Sequence, residues 1–174
     1  MSQYTDIDAM NSLGLVGQLT GNTAWRANQR AIYVPFKLPF QYRLAKFYWG
    51  NGTSISATVD MGIYDYLGSQ IVHTGATPQT SGPASVLQGV VSSPDVLLDA
   101  GRYYMGILLS ATQGSLCMWN TTVSIATAIL RLREFNVMQE NVGASTLPAT
   151  MNPTTVTNPD IPAMCIVDDA TRVF

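Results

Sequence analysis

The stretch SISATVDMGIYDY (54–66) repeats with a period of two: Ile55, Ala57, Val59, Met61 and Ile63 fall on one side, and Ser54, Ser56, Thr58, Asp60 and Gly62 on the other. Only an extended strand sends successive side chains to opposite faces, so this run specifies a strand with one packed face and one face toward solvent or a partner. A sheet with a single apolar face must be closed by a second layer. The flanking segments AIYVPFKL (31–38) and YRLAKFYW (42–49) are rich in β-branched and aromatic residues and also read as strands. Pro35 interrupts the first and, lacking an N–H, belongs at an edge or a bulge. In the second, Tyr42, Leu44, Lys46 and Tyr48 alternate with Arg43, Ala45, Phe47 and Trp49. Aromatics occupy both sets, so alternation does not choose the buried face.

Asn51-Gly52 is a strong turn signal, and Leu67-Gly68 closes a short hairpin into SQIVHTG (69–75). A polar loop runs over 76–83, ASVLQGVVSS (84–93) is a further strand, and a Leu-Asp-Ala-Gly turn introduces a long buried strand over Arg102–Ser110. SLCMWN (115–120) and IPAMCIVD (161–168) complete the strand-like runs. SIATAILRLREF (124–135) fits a short helix through Ile125, Ile129 and Leu132, with a strand as the competing reading. With no βαβ alternation and no repeat, the chain is expected to be all-β: an antiparallel two-sheet β-sandwich, jelly-roll-like, with extended N- and C-terminal arms. An immunoglobulin-like sandwich is the second topology. The expected divisions are an N-terminal arm at 1–29, the sandwich at 30–140, and at 141–174 an extended excursion ending in a strand packed on the sandwich. Segments 1–24 and 141–160 carry too little apolar surface to order themselves, so they are expected to become ordered on assembly.

Chemistry is hard to place on this chain. Its one histidine, His73, lies in a strand next to a turn, where a surface or hydrogen-bonded role outweighs a general base. Two cysteines, Cys117 and Cys165, sit in apolar strings and read as buried free thiols, and with a single histidine they make no zinc site. Asp60 and Asp65 are five apart, on opposite faces of a regular strand, and read as one solvated and one turn-capping aspartate. Asp95 and Asp99 shape the turn before Gly101, and the adjacent pair Asp168-Asp169 lacks the oxygen-rich surroundings of a calcium loop. No glycine-rich loop opens a helix, so no nucleotide is implied. The expectation is therefore a non-enzymatic protein with no catalytic residues, no metal and no cofactor. Aromatics crowd between Tyr33 and Trp49, either as core or as a binding platform. Trp25, Phe36 and Phe40 are the candidates for a protein interface.

Composition narrows the partners. Only 11% of the 174 residues are charged while 47% are hydrophobic, and the net charge is −2. A surface of neutral polar groups suits a protein held in one permanent assembly, because freely diffusing proteins rely on more charge for solubility. Nothing basic enough for nucleic acid is present. No signal peptide is recognisable at the start, which points to synthesis in the cytoplasm, and no apolar run approaches the ~20 residues needed to cross a bilayer.

The strings RAIYVPFKLPFQYRLAKFYWGNGTSISATVDMGIYD (30–65), GSQIVHTG (68–75) and LLDAGRYYMGI (97–107), followed by STLPAT (145–150), together resemble small proteins encoded among the structural genes of tailed bacteriophages. The likeness spans roughly 24–174, and the ending IPAMCIVDDATRVF departs from the aromatic-rich close of such proteins. The resemblance implies a virion surface component. One form is a capsid decoration or cement protein over junctions of the major capsid protein, for which a homo-oligomer, favoured as a trimer, is expected. The other is a tail-associated module that binds a receptor or host surface glycan. Low charge and long polar arms favour the first.

Overall fold

The computed structural model describes residues 19–25, 27–80, 87–119, 137–155 and 161–168. Their regular elements are all strands: β1 (Leu19–Ala24), β2 (Arg30–Leu38), β3 (Tyr42–Gly50), β4 (Thr58–Asp65), β5 (Gln70–His73), β6 (Thr77–Pro78), β7 (Leu87–Leu98), β8 (Gly101–Leu109), β9 (Ser115–Trp119), β10 (Met138–Asn141), β11 (Thr154–Thr155), β12 (Ile161–Pro162) and β13 (Met164–Val167). The helix expected over 124–135 lies outside the described residues, as do residues 1–18 of the expected N-terminal arm. Every pairing among the strands is antiparallel. The largest sheet has the order β11-β10-β2-β8-β4-β5, with β6 also on β4, and two three-stranded sheets have the orders β1-β9-β12 and β13-β3-β7. Ala163 ties the small sheets together, its N–H donating to Cys117 O and its carbonyl accepting from Gly50 N.

The core lies between the large sheet and the two small ones. From the large sheet come Ile32, Val34, Phe36 and Leu38 of β2, Val59, Met61 and Ile63 of β4, and Met105, Ile107 and Leu109 of β8; Leu44, Phe47 and Trp49 of β3 with Leu116, Met118 and Ile166 meet them. This is the sandwich that the period-two run of β4 requires. The two-faced aromatic pattern of β3 is resolved by a bulge. Register shifts between Leu44 and Lys46, so the strand changes parity at Ala45, which turns Phe47 and Trp49 into the same core as Leu44 and leaves Tyr48 on the other side with Cys165 and Val167.

Among the connections that cross between sheets are two that join the longest strands. Residues 39–41 lead from β2 to β3, and the two residues Asp99 and Ala100 lead from β7 to β8. Since β2 pairs with β8 from Arg30↔Leu109 to Leu38↔Gly101, and β3 with β7 from Tyr42↔Leu98 to Gly50↔Leu87, segments 30–50 and 87–109 form one long ribbon bent over the core. Pro35 sits on the half of β2 that β10, paired only from Arg30 to Tyr33, does not reach. Asn51-Gly52 is not a hairpin turn: Asn51 bridges Leu116, and its buried amide accepts from Trp49 Nε1 (3.0 Å) and donates to Gln88 Oε1 (2.7 Å). The Asn-Gly signal marks a sheet crossing because buried partners await the amide on the far side.

Parts of both expected arms lie against the sandwich. Residues 19–24 form β1 against β9, and Trp25 is buried in the core with its Nε1 donating to Arg30 O, so the sandwich begins before residue 30. Of the polar excursion, residues 142–152 lie as a strap across the outer face of the large sheet. Its scarcity of apolar residues is offset by hydrogen bonds to its main chain. Gln70 N donates to Ala149 O, Met151 N to Gly68 O, and Val142 N to Gln29 O, while Ser69 and Thr150 form a bridge.

Candidate functional site

Two features of this frame qualify as sites, the polar cluster under the strap and the end of the sandwich where three turns meet. The first is built on the outward-facing positions of β4. Asp60, Gly62 and Tyr64 alternate with the core residues, and the strap covers them, so Asp60 is fully buried and not solvated as the sequence suggested. One carboxylate oxygen, Oδ2, accepts from Leu147 N at 2.7 Å and lies 2.9 Å from His73 Nδ1, and the other accepts from Thr74 Oγ1 at 3.3 Å. Such satisfaction is what permits a carboxylate to be buried. Leu147 packs with Ala31, Tyr33, Tyr64 and Leu108. There is room because position 62 is glycine: a Cβ there would lie 3.1 Å from Leu147 Cδ1 and 2.8 Å from Val72 O.

Tyr33 and Tyr64 meet edge to face beside this cluster, with centroids 5.3 Å apart. Tyr64 donates its hydroxyl to Pro148 O (2.7 Å) and accepts from Gln70 Nε2 (3.1 Å), whereas Tyr33 donates to Glu140 Oε2 (2.9 Å), which also accepts from Asn152 N (2.9 Å). Burial is the main reason that both phenols are pushed far above the ordinary tyrosine range. Chemically the cluster orients an imidazole and clamps a peptide. A carboxylate-held histidine is one part of a nucleophilic triad, but among the described residues no hydroxyl or thiol nucleophile is bonded to His73. No group of three His, Cys, Asp or Glu among them is placed to hold a metal ion. Tyr64, Glu140 and the strap were missed in the sequence, and Tyr33 was noted only within the aromatic crowd, because their roles depend on which segment covers the outer face.

The second feature follows from register. Leu38↔Gly101, Asp65↔Tyr103 and Tyr42↔Leu98 bring the β2–β3, β7–β8 and β4–β5 turns to one end. Gln41 Nε2 donates to Asp99 Oδ1 (2.9 Å), joining the first two turns, and Tyr103 donates its hydroxyl to Asp99 O. Asp65 caps the third as expected, its Oδ1 accepting from Leu67 N and Ser69 N, with Gly68 at φ +91°, a conformation that favours glycine. The exposed large hydrophobic residues among those described are Phe40, Tyr66, Leu67, Ile71 and Leu97, and all lie in or beside these turns. Tyr66 and Leu67 are 65% and 73% exposed, far beyond what packing within the chain requires.

The interface candidates separate accordingly. Trp25 and Phe36 are 3% and 4% exposed and belong to the core, so they are corrected from interface to folding residues; Phe40, 43% exposed, stands at the turn-bearing end. Asp95 pairs with Arg43 at the surface instead of shaping a turn. Asp168 is exposed near Tyr42, and Asp169 lies outside the described residues. Cys117 and Cys165 are free and buried, and loss of water pushes the Cys165 thiol up to about 11. A shallow depression of about 330 Å³ lined by Arg30, Gln139, Glu140 and Asn152 holds no aromatic to stack a sugar, and Glu140 is already committed to Tyr33 and Asn152. No protein-family model, curated protein or solved structure matches the chain.

Proposed function

We propose that this chain is a non-enzymatic structural protein of a bacteriophage virion, a capsid decoration protein that stands on the particle surface by the turn-bearing end of its sandwich. The observation that carries the reading is the gathering at one end of the domain of Phe40, Tyr66, Leu67, Ile71 and Leu97, the exposed large hydrophobic residues among those described, in a chain poor in charge. Scattered apolar side chains are ordinary on a protein surface, but a set concentrated on turns marks a contact surface. The phage resemblance supplies the kind of particle. The bent ribbon supports a jelly-roll-like wrapping, and capsid junctions favour a closed trimer of the chain.

The test is to add purified protein to phage particles assembled without this chain and to image the result. Density at capsomer junctions of the head, with the turns facing the shell, is the expected outcome. Density confined to the tail would transfer the chain to the receptor- or glycan-binding reading.

A further inference from the structure

Asn51-Gly52 is the chain's one Asn-Gly pair, and it carries chemistry of its own. In an unfolded chain the main-chain nitrogen after an asparagine attacks the side-chain amide carbon. Glycine permits this most readily, having no Cβ to shield that nitrogen or to restrict the backbone. The fold holds each participant out of reach. Gly52 N donates to Ser115 O at 2.9 Å, which engages the nucleophile with another segment. Asn51 bridges Leu116, its carbonyl accepts from Cys117 Sγ, and the residue is only 1% exposed. Its amide is clamped in one orientation: Oδ1 accepts from Trp49 Nε1 and from Gln79 Nε2 (3.1 Å), and Nδ2 donates to Gln88 Oε1. Access for water therefore requires the sheet crossing to open.

We propose that Asn51 is a modification site that unfolding opens and whose modification bars the way back: deamidation of the unfolded chain yields a residue that the sandwich does not accommodate. The Gly52 nitrogen loses its proton to solvent and bonds to Asn51 Cγ, the Cγ–Nδ2 bond breaks, and ammonia leaves. Water then opens the cyclic imide, giving aspartate or, by attack at the main-chain carbonyl, isoaspartate. In the aspartate an acceptor oxygen replaces the Nδ2 donor and faces Gln88 Oε1. Turning the Gln88 amide over does not relieve this, because Oε1 also accepts from Thr80 N (2.9 Å) and Nε2 donates to Pro78 O (2.8 Å), both fixed main-chain groups. A carboxylate left in the core without a donor is strongly disfavoured. Isoaspartate instead lengthens the main chain between Gly50 N, bonded to Ala163 O, and Gly52 N, bonded to Ser115 O. The backbone has no slack there, since even a Cβ at position 52 would collide with Ser115. Chain that folds promptly keeps its asparagine, and chain left unfolded is withdrawn from the pool that folds.

The experiment incubates the wild-type protein in mildly alkaline buffer, folded and in urea above its unfolding midpoint, and follows conversion at Asn51 by peptide mass spectrometry. Conversion in the folded sample is expected to be at least about tenfold slower, since only opened molecules react. Chain from the urea sample is then separated by charge into modified and unmodified fractions, and both are returned to native buffer. The unmodified fraction is expected to recover the wild-type urea midpoint, and the modified fraction to unfold at lower urea or not to refold. Asn51→Asp, purified without exposure to urea, gives an independent reading if neither fraction refolds; a lower melting temperature than wild type, or no folded protein, is expected of it. Equal conversion rates in folded and unfolded protein would overturn the inference. So would a modified fraction, or an Asn51→Asp variant, as stable as the wild type.

Discussion

Asp60 of β4 and His73 of β5 lie 2.9 Å apart, Oδ2 to Nδ1, yet the aspartate is sealed from water while about a third of the histidine side chain remains open. The same carboxylate oxygen accepts the Leu147 N–H of the strap. This pair joins the edge of the large sheet to the segment that covers it.

Replacing Asp60 by alanine should leave the buried Leu147 N–H without an acceptor, at a cost of about 1–3 kcal/mol. His73→Ala removes one partner of the carboxylate but leaves Leu147 and Thr74 in place, so its cost should be smaller. Urea unfolding of the two variants checks the order. A larger loss for His73→Ala would mean that the imidazole, and not the strap, is what makes burial of the carboxylate tolerable.

The strap should resist proteolysis in the isolated protein. Ten-minute digests of the wild type are expected to leave 142–152 uncut, and Asp60→Ala to expose it, because its main-chain bonds to Asp60, Tyr64 and Gln70 act together. Cleavage there in the folded wild type would show that the strap orders only on the particle.

Core and surface aromatics should part company. Trp25→Ala and Phe36→Ala are expected to cost about 3–5 kcal/mol, the range for emptying a buried aromatic site. Phe40→Ala should stay within about 0.5 kcal/mol of wild type, as for ordinary surface changes. Thermal or denaturant unfolding separates them, and a large loss for Phe40→Ala would place it in the fold and not in a contact.

Alkaline pH should unfold the protein through its buried phenols. Tyr33, Tyr42 and Tyr64 have folded-state values raised above the unfolded one near 10, chiefly by burial. Their stabilising contribution is complete below pH ~10 and is lost as the pH rises beyond it, at about 1.4 kcal/mol per pH unit for each phenol that ionises only on unfolding. Tyr33→Phe should therefore flatten the decline of stability above pH 10, read from urea midpoints against pH. An unchanged slope would mean that the phenol ionises within the fold.

Much of the fold was legible because local pattern and final packing agree. The alternation of β4 predicted Val59, Met61 and Ile63 as its core face, and the Leu-Asp-Ala-Gly turn fell between β7 and β8. Where reading failed, a distant contact decided. Parity along β3 changes at a bulge that no residue type announces, and Asp60 looked solvated because nothing in a polar stretch some 87 residues later signals that it will fold back over β4. Trp25 stood among polar residues whose pairing with β9 could not be anticipated locally. Of the candidate site, Phe40 was legible as an apolar residue between two strands, whereas Tyr66, Leu67, Ile71 and Leu97 became a set with it only through strand register.

The bent ribbon has a mechanical consequence. Its bend lies at the turn-bearing end, so a pull applied there runs along β2 and β3 on one side and β8 and β7 on the other, straight down the strand axes. The ladders of the large sheet and of the β13-β3-β7 sheet are loaded together in shear, and the Gln41–Asp99 bond ties the two strands of the ribbon to each other at the bend. A hairpin attached by its edge would instead peel one hydrogen bond at a time. A domain held by this end would therefore share an applied tension across both layers.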